Sequence, residues 1–122
     1  IAGHFIRRVA QAMEGHVAIA LWNADSGSAA KDHGVYFSQN SYTLFSGSSY
    51  SATASSNFVV DLSNNIEFSS ILLPSQTLIF TKKTGEVLDF NENMHTVTLK
   101  NMQSNETKTL FINKLGVLDL IQ

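Results

Sequence analysis

The sequence predicts an α+β domain in which one N-terminal helix packs on an antiparallel β-sheet or a two-layer β-sandwich. Three observations lead there. Apolar residues recur with a period of 3.6 in the opening stretch and with a period of 2 from Gly34 onward. The strand-like segments are joined by turns too short for the crossover of a dozen or more residues that a parallel pair requires. One face of those segments is dry, and the opening stretch is the only helical cover available.

The helix is read over residues 1–22, IAGHFIRRVAQAMEGHVAIALW. At 100° per residue, His4, Arg7, Arg8, Gln11 and Glu14 fall within a sector of roughly 120°. Ile1, Ala2, Phe5, Ile6, Val9, Ala10, Ala12, Met13 and Val17 occupy the rest, so the helix is apolar around most of its girth. A single core covers about a third to a half of a surface helix, and this one has more to hide. Gly15 is a weak point. Residues 23–33 are read as loop: the stretch NADSGS stops the helix because its polar side chains compete for backbone bonds and Gly27 permits a turn.

Residues 34–122 form the antiparallel β region, the whole chain being one domain. GVYFS and SYTLFSG are rich in aromatic and β-branched residues around a turn, and the polar tract Ser46 to Ser56 follows as a loop, most simply a solvated one or else a variable surface loop that contacts a partner. Strands are then expected at NFVVDL, NIEFSS, TLIFT, EVLDF, HTVTLKN, ETKTLFIN and GVLDLI. TKKTGEV, with Gly85, and NMQSNET read as tight hairpins, and Pro74 fits the entry to a strand. Val97 and Leu99 share one face opposite Thr96, Thr98 and Lys100. Leu110 and Ile112 likewise oppose Thr107, Thr109 and Phe111.

Composition narrows the function classes. A hydrophobic content of 43% with a mean hydropathy near zero fits a globular domain, and a net charge of −2 gives no global pull toward nucleic acid or anionic lipid. The absence of cysteine excludes disulfides and thiolate metal sites. The longest apolar run, Val17 to Trp22, is far short of the ~20 residues that span a bilayer. No signal peptide is present, and a chain starting at Ile1 reads as a trimmed one.

The segment GVYFSQNSYTLFSGSSY (Gly34 to Tyr50) resembles the first hairpin of H-type minor pseudopilins, the GspH/FimT family. Leu78 to Leu118 is similar to that family's C-terminal half. There an apolar strand ends in Phe and is followed by a turn Gly, a second strand, a "T-apolar-T-apolar" strand and then "apolar-x-apolar-N-x-x-G". Phe80, Gly85, Val97, Leu99, Leu110, Ile112, Asn113 and Gly116 stand at those positions. The family's mature N-terminus, with Glu at the fifth position before an apolar stretch, is absent, and the tract from Trp22 to His33 carries no family signature.

The resemblance implies a type IV pilin-like fold and a non-enzymatic subunit of a type II secretion pseudopilus or type IV pilus. The helix would be the lower half of a longer one, with one flank on its own sheet and part of the rest against other pilins or pseudopilins. Phe5, Ile6, Val9 and Met13 are the residues expected to make those packings. A missing N-terminal segment would anchor the subunit in the bacterial inner membrane. The soluble domain would lie in the periplasm or extracellular space, and then at or near the tip of a cell-surface filament.

Candidate chemistry is sparse. None of His4, His16, His33 and His95 has metal-pair spacing; His16, on the apolar side of the wheel, reads as a satisfied, partly buried imidazole, and His95 as exposed. DFNEN (Asp89 to Asn93) begins like a calcium loop, but Met94 stands where the turn needs Gly and Lys100 where the bidentate Glu belongs. An irregular calcium site in another strand-connecting loop stays open. No serine lies in G-x-S-x-G. No catalytic residue, cofactor, metal or small-molecule substrate is therefore expected.

Lys82 and Lys83 could contact phosphates in a DNA-uptake pilin, but two lysines also suit an edge strand guarded against aggregation, and the clustered cations of a nucleic-acid binder are missing. Asn105-Glu106-Thr107 is a formal sequon that reads as a polar turn. A rival from another class is a secreted β-sandwich binding module, an adhesin or carbohydrate binder, whose aromatic platform would draw on Trp22, Tyr36, Tyr42 and Tyr50.

Overall fold

The computed structural model describes residues 2–25, 31–82, 84, 86–116 and 118–121, with side chains described except at 2–5, 22, 25, 118 and 120–121. One helix, α1 (Ala2–Asp25), precedes eight strands. These are β1 (His33–Ser38), β2 (Ser41–Ser46), β3 (Phe58–Asp61), β4 (Ile66–Leu72), β5 (Thr77–Phe80), β6 (Thr96–Asn101), β7 (Thr107–Ile112) and β8 (Leu118–Ile121). They form two four-stranded sheets, ordered β3-β2-β1-β5 and β4-β6-β7-β8, and every pairing is antiparallel. The α+β class therefore holds.

The helix lies against both sheets. Ile6, Ala10, Met13, Val17, Ala20 and Ala24 recur every three or four residues and are buried, placing one stripe of α1 on strands of the two sheets together. From below, Val35, Phe37 and Tyr42 rise from the first sheet and Val97, Leu99, Leu110 and Ile112 from the second. Phe37 meets Phe68 of β4 edge-on, with ring centroids 5.2 Å apart at 88°, so the seam between the sheets is aromatic. The β1–β2 turn reinforces it, the Gln39 carbonyl accepting from the Phe68 N–H of β4 at 2.9 Å.

Three expectations need correction. The helix does not stop at Trp22 but runs to Asp25. Asn23 to Asp25 contains no Gly or Pro, and burial of Ala24 outweighs the weak helix propensity around it. EVLDF is not a strand. Its pairing with β5 is limited to a bridge between Val87 and Phe80 and a bond from the Leu88 N–H to the Ile79 carbonyl at 2.8 Å; Val87 N–H donates to the Lys114 carbonyl, and Asp89 takes a left-handed φ of 55°. His95 is not exposed. Its ring sits partly buried between Phe90 and Phe111, at 5.8 and 6.1 Å, and its Nδ1 is buried without a partner among the described residues.

Other expectations stand. Pro74 opens a 3-10 turn, Pro74–Gln76, immediately before β5. The NMQSNET hairpin is closed by Asn101, whose Oδ1 accepts from the backbone of Gln103 and Ser104 at 3.0 and 3.3 Å. Asn105 is an exposed turn residue with φ 64°. Gly85 and most of the loop after the helix, 26–30, lie outside the described residues.

Candidate functional site

The outward face of α1 changes character along its length. Arg7, Arg8 and Gln11 are exposed near the start, whereas Ala12, Gly15, Ala18 and Ile19 are exposed farther on, Ile19 to 49%. Of the expected packing residues, Ile6 and Met13 are fully buried against the sheets and Val9 packs at the margin of the core; the Phe5 side chain lies outside the described residues. Ile6 and Met13 are thus committed to the domain's own core, and the outward apolar surface is a different set. The helical wheel obscured it by projecting two halves of the rod onto one circle. Beside this stripe, Phe58 of β3, 55% exposed, places its ring 5.9 Å from that of His16.

His16 is held as expected. Its Nδ1 hydrogen-bonds the Tyr42 hydroxyl at 2.7 Å, and the two rings lie 5.6 Å apart. Tyr42 is 2% exposed, and burial pushes its phenol up to about 12 from the ordinary 10. A phenol so reluctant to ionise is a poor proton donor, and the pair works as a polar lock between helix and sheet.

The second candidate surface lies on the far side of the first sheet. In β1, Val35 and Phe37 face the helix, so Gly34 and Tyr36 face away. Register places Phe45 and Ile79 on either side of Gly34, and Thr43 and Thr77 on either side of Tyr36. This outer face is covered too: Thr43, Phe45 and Ile79 are buried. Gly34 makes the cover fit, because a Cβ there would stand 2.7 Å from Phe45 Cζ and 2.8 Å from the Leu78 carbonyl oxygen. The Ser46 to Ser56 tract is therefore more than a solvated loop. Tyr50 folds back from it to stack on Tyr36, with centroids 4.0 Å apart and planes within 2°, and meets Phe45 at 5.6 Å.

Beside the stacked tyrosines runs a cleft of about 310 Å³, bounded by Ser48 and Ser49, the Ser75 turn, Thr77, Leu88 and Asp89. Its walls are strained. Ser75 and Asp89 have φ of 53° and 55°, and Gln76, next to the lining, 59°; for residues with a Cβ each such angle costs on the order of 1 kcal/mol. Hydrogen bonds hold the turn in place, Gln76 Nε2 donating to the Phe37 carbonyl at 2.9 Å and Thr77 Oγ1 to that of Pro74 at 3.0 Å.

Of the aromatic platform expected from sequence, the fold brings Tyr36 and Tyr50 together. It removes Tyr42 into the core, and the Trp22 side chain lies outside the described residues. The partner of Tyr36 comes from the loop that follows β2, and no local pattern announces the stack.

The remaining candidates stay apart. Lys82 is exposed just beyond β5, an edge strand, and its N–H donates to Asp32 Oδ1 at 2.8 Å; Lys83 lies outside the described residues. In DFNEN, Asn91 Oδ1 accepts from the Asn93 N–H at 2.8 Å, an ordinary polar turn. Among the described residues no three His, Cys, Asp or Glu side chains gather as a metal site, and no helix is long and apolar enough to cross a membrane. No family model matches the chain, and neither a curated protein nor a solved structure does.

Proposed function

We propose that the chain is a minor pseudopilin or minor pilin, a structural subunit of a type II secretion pseudopilus or type IV pilus that assembles through its N-terminal helix. One observation carries this reading. A helix of 24 residues seats one stripe on two antiparallel sheets and turns a second apolar stripe, Ala12, Gly15, Ala18 and Ile19, to solvent. Small residues let two helix backbones approach closely, and the stripe matches what a helix shared between its own domain and a neighbour requires. The resemblance of Gly34 to Tyr50 and of Leu78 to Leu118 to the GspH/FimT pattern adds to it.

In this reading the mechanism is assembly rather than catalysis. An apolar segment ahead of the helix holds the subunit in the inner membrane and then enters the filament bundle, with the β domain in the periplasm or outside the cell. The exposed stripe docks on a neighbouring subunit, while Ile6, Met13 and Val17 keep the helix seated on its own sheets.

The test uses the intact protein in its native cells, with a photo-crosslinking residue at Ile19 and, as control, at Thr98 on the far sheet. Crosslinks from Ile19 to a second pilin-like subunit are expected, and Ile19→Asp should abolish assembly while changing stability by less than about 0.5 kcal/mol. Equal crosslinking from both positions, or normal assembly of the Ile19→Asp protein, would remove the helix stripe from the mechanism. The full reading frame offers a second check: a short basic leader, a cleavage-site Gly and ~20 apolar residues fit the proposal, and an ordinary signal peptide argues against it.

A further inference from the structure

We propose that the cleft beside Tyr36 and Tyr50 binds a neutral carbohydrate, one or two pyranose rings in size. The cleft lies on the face of the first sheet opposite the helix, so the proposal stands apart from the assembly reading.

The wall is made first. Two phenol rings stacked at 4.0 Å form a rigid amphipathic surface that loses little conformational entropy on binding, and the contact with Phe45 fixes the outer ring. A pyranose presents an apolar C–H face to such a wall and hydroxyls to the rim. The rim offers matching groups: the hydroxyls of Ser48, Ser49 and Ser75 and the Asp89 carboxylate line the cleft and make no side-chain hydrogen bond among the described residues. Short side chains on strained, hydrogen-bonded turns are held in place before any ligand arrives.

The chemistry of the rim selects the ligand. Among the described residues neither Lys nor Arg lines the cleft, so an anion finds no counter-charge from them. An ammonium group would suit Asp89 but only donates, so the serine hydroxyls could meet it as acceptors alone. A sugar hydroxyl donates and accepts at once, so it serves both. A cleft of about 310 Å³ lies at the small end of ligand sites and suits a mono- or disaccharide.

The experiment is a titration of the isotope-labelled chain by amide NMR. The probes are the methyl pyranosides of glucose, galactose, mannose and N-acetylglucosamine, maltose and cellobiose, each into the millimolar range, with butylammonium chloride as the cationic arm. Saturable shifts confined to the amides of residues 36, 48–50, 75–77 and 88–89 are expected for at least one sugar. Asp89→Asn keeps a residue tolerant of left-handed backbone and should weaken binding roughly tenfold, as losing a hydrogen bond to a charged group does. Tyr50→Ala should abolish it. The proposal is overturned if no sugar saturates, if the shifts lie elsewhere, if Asp89→Asn binds as tightly as the parent, or if butylammonium alone titrates those amides.

Discussion

The two sheets are built from the same number of strands and are treated differently by the fold. In β6 burial alternates strictly: Val97 and Leu99 are fully buried, while Thr96, Thr98 and Lys100 are half-buried on the other face. There Thr98 and Thr109 pair across the strands, their hydroxyl oxygens 3.0 Å apart. In β5 the run Leu78, Ile79 and Phe80 is buried without a break, and in β2 both Tyr42 and Thr43 are. The second sheet has one dry face under the helix. The first has two, the helix on one and its own 47–57 loop on the other. A sheet covered on both faces loses its alternation, and covering the second face is what creates the Tyr36–Tyr50 cleft.

The largest effect should come from the seam that joins the two sheets. Phe37→Ala removes a fully buried ring packed edge-on against Phe68 and is expected to cost about 3–5 kcal/mol in urea denaturation. That is a large share of the roughly 5–15 kcal/mol that holds a typical domain folded. A loss below about 1 kcal/mol would show that the sheets are held together by the helix alone.

Next comes the lock between helix and first sheet. The Tyr42 phenol ionises at about 12 in the folded chain and near 10 when unfolded. The folded state therefore binds the proton more tightly, so this contribution is whole below pH 10 and is lost as pH rises from 10 through 12. By linkage it amounts to at most roughly 2–3 kcal/mol. Tyr42→Phe should be less stable at neutral pH, by about 0.5–1.5 kcal/mol for the hydrogen bond to His16. It should also lack this extra alkaline loss. Parallel stability curves for parent and variant above pH 10 would contradict the assignment.

The sharpest comparison asks one question of two glycines, and it ends on the smallest effect. Gly34→Ala drives a methyl into Phe45 and the Leu78 carbonyl and should cost about 1–3 kcal/mol. Amide exchange should quicken around Tyr50 before it does in β6. Gly15→Ala meets nothing within 4 Å and should stabilise the chain by about 0.5–1 kcal/mol through helix propensity. If both substitutions shift the melting temperature alike, the outer cover contributes nothing to stability.

Much of this architecture was legible in the residues. The burial of Val97, Leu99, Leu110 and Ile112 followed from period alone, and NMQSNET announced its hairpin through Asn101. The candidate surfaces were less so. Ile6 and Met13 were recognisable as apolar helix positions, yet their burial in the domain's own core left Ala12, Gly15, Ala18 and Ile19 as the outward set. EVLDF read as a strand because its composition is that of one. Its backbone instead spends a hydrogen bond on Lys114, a partner no local pattern names.

By itself the sequence determined the helix, all eight strands to within a few residues with one surplus at EVLDF, their antiparallel sense and the inward face of each hairpin. These follow from short-range geometry: side chains recur at 3.6 or 2 residues, and turns of a few residues permit only reversal. Only the tertiary structure decided which second face would be covered, that Tyr50 would lie flat on Tyr36, and that His95 would sit between Phe90 and Phe111. Burial of a face is a property of whatever distant segment returns to cover it, and periodicity along one strand carries no record of that segment.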